Sequence, residues 1–97
     1  MLDHNNISNQ PYYPTKEEFL IQFDRLTKRQ KEVVILKCRG LTDEQIALEC
    51  GFKKRTVSRH LCDACATLLI SDPDKKRNNA NRETLVRLGT LYLFNDN

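Results

Sequence analysis

Ninety-seven residues, of which 39% are hydrophobic and 30% charged, make one small domain with a modest core and a net charge of +3. Three glycines and three prolines leave little room for a turn-rich β fold. No apolar run approaches the ~18 residues that span a bilayer, and the N-terminal MLDHNNISNQ has neither the charged start nor the apolar core of a signal peptide.

The composition points to an all-α, cytoplasmic protein. Its four cysteines fall at helical, core-like spacings rather than in loops, so reduced thiols are expected in place of a disulfide framework. Residues 1–14 are polar, Asn-rich and closed by Pro11 and Pro14, which reads as a flexible arm. Thr15 and Glu18 then have the spacing of a capping box and open a short extra helix to about Asp24, with Phe19, Leu20 and Phe23 as its apolar stripe. Thr27 and Gln30 repeat the spacing ahead of a second helix that Gly40 closes and that holds Val33, Val34, Leu36 and Cys38. Lys28, Arg29 and Lys31 crowd its first turn, where cations oppose the helix dipole, an arrangement that makes sense if they meet phosphates; Arg29 has the alternative of pairing with Glu32 or another acid.

Residues 42–68, TDEQIALECGFKKRTVSRHLCDACATL, organise the chain. Thr42 and Gln45 form a third capping box, and Gly51 supplies the positive-φ residue that ends the helix carrying Ile46, Ala47 and Cys50. After Phe52 a helix over 54–70 is expected, with Val57, Leu61, Ala64, Cys65 and Leu68 as one apolar stripe. Its opposite side carries Arg55, Ser58, Arg59 and Cys62 at i, i+3, i+4 and i+7. Two helices joined by so short a turn are a helix-turn-helix, and a short basic stripe of this kind suits a major groove. The charge agrees: from Arg25 to Arg59 ten Lys and Arg stand against four acids. Arg59 is the best base reader, because a guanidinium makes two bonds to guanine, and Ser58 can donate or accept.

A polar linker over 72–80, with the basic run Lys75-Lys76-Arg77, precedes a last helix from about Asn81 to Phe94, followed by a short tail. Leu85, Val86, Leu88, Leu91, Tyr92, Leu93 and Phe94 are too many for one narrow stripe, so two faces of this helix need cover. Either a second subunit covers one of them, with Leu85, Leu88, Leu91 and Tyr92 at a homodimer interface, or both pack on the domain and on the Phe19/Phe23 helix. Gly89 in the middle permits a close helix-helix approach.

Residues 26–70 resemble the LuxR/GerE-type helix-turn-helix domain of bacterial transcriptional regulators. The resemblance rests on L-T-x-R-x-x-E-V-V-x-L (Leu26, Thr27, Arg29, Glu32, Val33, Val34, Leu36), followed by G-L-T at 40–42, I-A at 46–47, G-F at 51–52, T-V at 56–57 and H-L at 60–61. It implies a sequence-specific regulator that binds double-stranded DNA as a dimer through its last helix. It also implies base contacts at Ser58, Arg59 and Cys62, and phosphate contacts at Lys53, Lys54, Arg55 and Thr56 and at Lys28 and Arg29. Where that family usually has a capping Ser, Lys53 stands, so the reading helix is expected to start without a side-chain cap.

The promoter-reading domain of sigma factors has a closely similar pattern, to which Thr56-Val57-Ser58-Arg59 is suited, and it would add RNA polymerase as a partner. A third reading is an adaptor of the same fold that binds another regulator instead of DNA. Cys62-Asp-Ala-Cys65 is a C-x-x-C, but it lies at i, i+3 inside one helix with no second pair or paired His, so no metal or other cofactor is expected. His60 borders the apolar stripe as a structural residue, and without a nucleophile-base pair or a Gly-rich phosphate loop the chain is not expected to be an enzyme.

Overall fold

The computed structural model describes residues 13–70 and 78–94, and every regular element among them is a helix: α1 (Lys16–Asp24), α2 (Lys28–Cys38), α3 (Asp43–Cys50), α4 (Lys54–Thr67) and α5 (Asn78–Leu93). The all-α helix-turn-helix bundle expected from the sequence is what forms. The arm over 1–12, most of the linker with its basic run, and the last three residues lie outside the described residues.

All three capping boxes close in both directions. Thr15, Thr27 and Thr42 accept from the backbone N–H of Glu18, Gln30 and Gln45, whose side chains accept in return from the three threonine N–H groups. Gly51, at φ 73°, ends α3 in the left-handed region.

Helix α2 is central, packing on α3, α4 and α5, while α1 closes the bundle against α4 and α5. The core is formed by Phe19, Leu26, Val33, Val34, Ile46, Val57, Leu61, Ala64, Cys65, Leu68, Ile70, Leu85 and Leu88. Every member of the expected α4 stripe is buried. In α1, by contrast, Phe19 is buried and Phe23 partly so, but Leu20 is exposed, because its place on a short helix points past the neighbouring elements.

Two boundaries differ from expectation. Helix α4 stops at Thr67, capped by Leu68, rather than continuing to 70. Leu69 takes a left-handed φ of 66°, and the N–H of Ile70 bonds back to the carbonyl of Cys65. This turn drops Ile70 into the core beside Leu68 and leaves Leu69 outside, so burial outweighs the 1–2 kcal/mol or so that a left-handed conformation costs a non-glycine residue. Helix α5 starts at Asn78, three residues ahead of the expected start and inside the expected linker.

Helices α2 and α5 meet closely at Gly89, where an added Cβ would overlap the Cys38 thiol; that thiol in turn lies 4.0 Å from the carbonyl of Leu85. In Gly89→Ala, a gain of about 1 kcal/mol in helix propensity therefore meets an overpacking cost of about 1–3 kcal/mol. Urea denaturation of a double-mutant cycle should read the two apart. Gly89→Ala should fail to stabilise the native background, yet stabilise the Cys38→Ala background by about 1 kcal/mol.

Candidate nucleic-acid interface

The stripe that α4 buries determines what it exposes. With Val57, Leu61, Ala64, Cys65 and Leu68 turned inward, the outward residues are Arg55, Arg59, Cys62, Asp63 and Ala66. Two expected base readers, Arg59 and Cys62, lie on this outer face, whereas Ser58 is half-buried at its flank. Asp63 was not singled out from the sequence, although its place one turn after Arg59 carried the signal.

Among the expected phosphate contacts, Lys53, Lys54 and Arg55 are exposed and Thr56 is half-buried at the start of α4, with Lys28 and Arg29 exposed at the start of α2. Lys53 occupies the cap position of α4 without a capping hydrogen bond, as expected from the missing Ser. The guanidinium of Arg29 lies 5.1 Å from the centre of the Phe52 ring, which itself sits 5.4 Å from the ring of His60. Arg29 thus takes neither Glu32 nor another acid as a partner. Instead the stack ties the start of α2 to the turn and to α4, and an exposed cation–π contact of this kind contributes about 0.5–1 kcal/mol.

Charge is distributed unevenly around the bundle. Among the described residues, Lys28, Lys53, Arg55 and Arg59 have no acidic partner, and Lys54 reaches Glu44 only at 4.0 Å with both side chains largely in solvent. Elsewhere Lys31 approaches Asp24, Lys37 and Arg82 hold Asp43, and Arg39 lies over Phe94. Lys16, Arg25 and Arg87 are also unpaired, but on other elements. The cations left free around α4 are therefore available to a polyanion.

The Asp43 clamp orients the unit. Its carboxylate, in the first turn of α3, accepts from Lys37 of α2 at 2.8 Å and from Arg82 of α5, with all three side chains mostly shielded. Burial alone would push this carboxyl up, but the hydrogen bonds and charges of Arg82 and Lys37 prevail and hold it below the usual carboxylate range.

The cysteines behave mainly as packing groups. Burial raises the Cys38 thiol to about 11 and, with the neighbouring Cys62, the Cys65 thiol to about 12, so both remain protonated and weakly nucleophilic. Cys62 is the exposed one of the four. Among the described residues, no group of three His, Cys, Asp or Glu is placed to hold a metal ion, and no helix is long and apolar enough to cross a membrane.

Of the four residues expected between protomers, Leu85 and Leu88 are enclosed in the core of the same chain. Tyr92 packs edge-on against Phe19 at 5.3 Å and donates its hydroxyl to the carbonyl of Pro14. Only Leu91, 48% exposed, faces out, with the exposed Phe94 just beyond the helix. The girth of α5 is thus covered largely within the monomer, by α1 on one side and α2 on the other.

A model of the family described as Sigma-70, region 4 matches residues 17–68, just over half of the chain. The chain belongs to the sigma-70 region 4 family. The match runs from α1 to the end of α4 and so includes the whole helix-turn-helix. The match supports the assignment that the sigma-type and LuxR/GerE-type patterns share, a helix-turn-helix DNA-binding domain concerned with transcription. No curated protein and no solved structure matches the chain.

The clamp makes the stability of this sigma-70 region 4 domain depend on acid. A carboxyl held below its unfolded value contributes stability above that value and loses it as pH falls through the folded one. Urea midpoints followed downward from pH 7 should drop most steeply below the ordinary carboxylate range near pH 4. Asp43→Asn should flatten that drop and cost about 2 kcal/mol at pH 7, because it removes the charge and one of the two acceptor oxygens that the shielded cations share.

Proposed function

We infer that this sigma-70 region 4 domain reads double-stranded DNA in the major groove through α4, in the service of RNA polymerase. The observation that carries the reading is the pairing of a fully buried inner stripe on α4 with free cations around its outer one. Arg59, near the middle of the exposed face, is the reader, and a bidentate contact to guanine is its best partner. Lys53, Lys54, Arg55 and Thr56 at the start of α4, with Lys28 and Arg29 at the start of α2, grip the phosphates on either side. Ser58 and Cys62 flank Arg59 as weaker base contacts. The family match supports polymerase as the second partner.

The LuxR-type reading, a free-standing regulator that binds DNA as a dimer, is the alternative. It is favoured by the exposed Leu91 and Phe94 at the end of α5. On that reading the protomers meet through Leu91 rather than through Leu85, Leu88 or Tyr92. Binding to core RNA polymerase by the monomer supports the sigma type, whereas a dimer occupying two half-sites one helical turn apart supports the LuxR type.

Titrations of fluorescent duplexes at several salt concentrations test the shared premise. Affinity should fall steeply with salt. Arg59→Ala should lose about 1–3 kcal/mol on the preferred sequence and relax the preference, while Lys53→Ala should weaken all sequences alike and lower the salt slope by about 1. Absence of binding at low salt would overturn the DNA reading in favour of an adaptor.

A further inference from the structure

We propose that Asp63 is a second base-reading residue of α4, selecting a cytosine near the guanine taken by Arg59. This rests on the DNA reading above and gives that site part of its sequence preference.

Folding does not account for an aspartate here. Asp63 is the tenth of the 14 residues of α4, too far along to cap the helix and in the half where a carboxylate opposes the dipole. Aspartate is also among the weaker helix formers. Its side chain is exposed and, among the described residues, has no cation or hydrogen-bond donor, although Arg59 stands one turn earlier on the same face.

General attraction to DNA does not account for it either, since a carboxylate on a phosphate-binding surface weakens every complex equally. What a carboxylate does well in a major groove is accept from the N4 amino group of cytosine. It also rejects guanine and thymine, whose O6, N7 and O4 are acceptors and leave it without a donor, and it disfavours adenine, whose N6 amino group is flanked by the N7 acceptor.

The spacing fits one reading surface. Four helical residues rise about 6 Å and turn about 40° beyond a full circle, so Arg59 and Asp63 lie side by side along the outer face. That separation corresponds to one or two base steps of about 3.4 Å. The buried Val57, Leu61, Ala64 and Cys65 fix the rotation of α4, so the two side chains enter a groove together or not at all. Cys62 lies between them in sequence and offers only a weak hydrogen bond.

The test is selection from a random duplex pool with the full chain and two variants, followed by titration of single-base changes in the selected site. The unaltered chain should select a motif with a cytosine within two base pairs of the guanine lost in Arg59→Ala, preferred about tenfold, toward the lower end of what one good base contact supplies. Asp63→Ala should abolish the preference at that position while leaving the guanine preference intact. Asp63→Asn should move it toward adenine, the base an amide reads in two bonds. Both variants should bind non-target DNA at least as tightly as the unaltered chain, a gain that a residue needed only for folding would not give. A motif left unchanged by both substitutions overturns the role of Asp63 while leaving the DNA reading standing. Failure of the unaltered chain to select any motif overturns both.

Discussion

Helix α4 must bury one complete stripe, and most of the molecule follows from that demand. Val57, Leu61, Ala64, Cys65 and Leu68 leave no freedom in how the helix is rolled against α2 and α3, so its outer residues are set as a group. The same demand explains the left-handed Leu69: the chain accepts local strain to keep Leu68 and Ile70 inside. A helix held this way presents its side chains from a rigid element, which suits the base discrimination proposed for it.

Electrostatics divides the surface in a complementary way. Near the centre of the bundle, one shielded carboxylate at the start of α3 receives cations from α2 and α5. Around the first turns of α2 and α4, Lys28, Lys53 and Arg55 have no acidic partner among the described residues and stand at helix starts whose dipoles they oppose. That arrangement is unfavourable in the isolated protein, and on the proposed DNA reading phosphates would relieve it, which would link a local folding cost to binding.

Local signals made most of the fold legible. Threonine followed three residues later by Glu or Gln placed three helix starts, and a single period of apolar residues identified the whole inner face of α4. Signals that depend on distant residues were not legible. Leu85 and Leu88 could be read as apolar but not as closed off by their own chain, because that depends on α5 lying back across α2 at Gly89. The end of α4 was misplaced because Leu69 carries no sequence mark of a left-handed turn. Arg29 was legible as a cation at a helix start, but its stacking on Phe52 required the turn to fold first. Of the candidate interface, Arg59 stood out by chemistry, whereas Asp63 became visible only once the outer face had been defined by what lay inside.

The anchoring of α5 has a further consequence, for the order in which the chain comes apart. Helices α3 and α4 are joined by a three-residue turn and meet through neighbours in sequence, so they form one cooperative unit with little loop entropy to overcome. Apart from the Cys65 thiol of α4, which reaches the Asn81 carbonyl across 16 residues, the hydrogen bonds that tie α5 to α2, α3 and the start of α1 span 39 residues or more, from Arg82–Asp43 to Tyr92–Pro14 at 78. Amide protons of α5 therefore have an opening route that leaves the helix-turn-helix closed, while those in α4 exchange only through a larger unfolding. Protection against hydrogen exchange should rise from α5 toward α4.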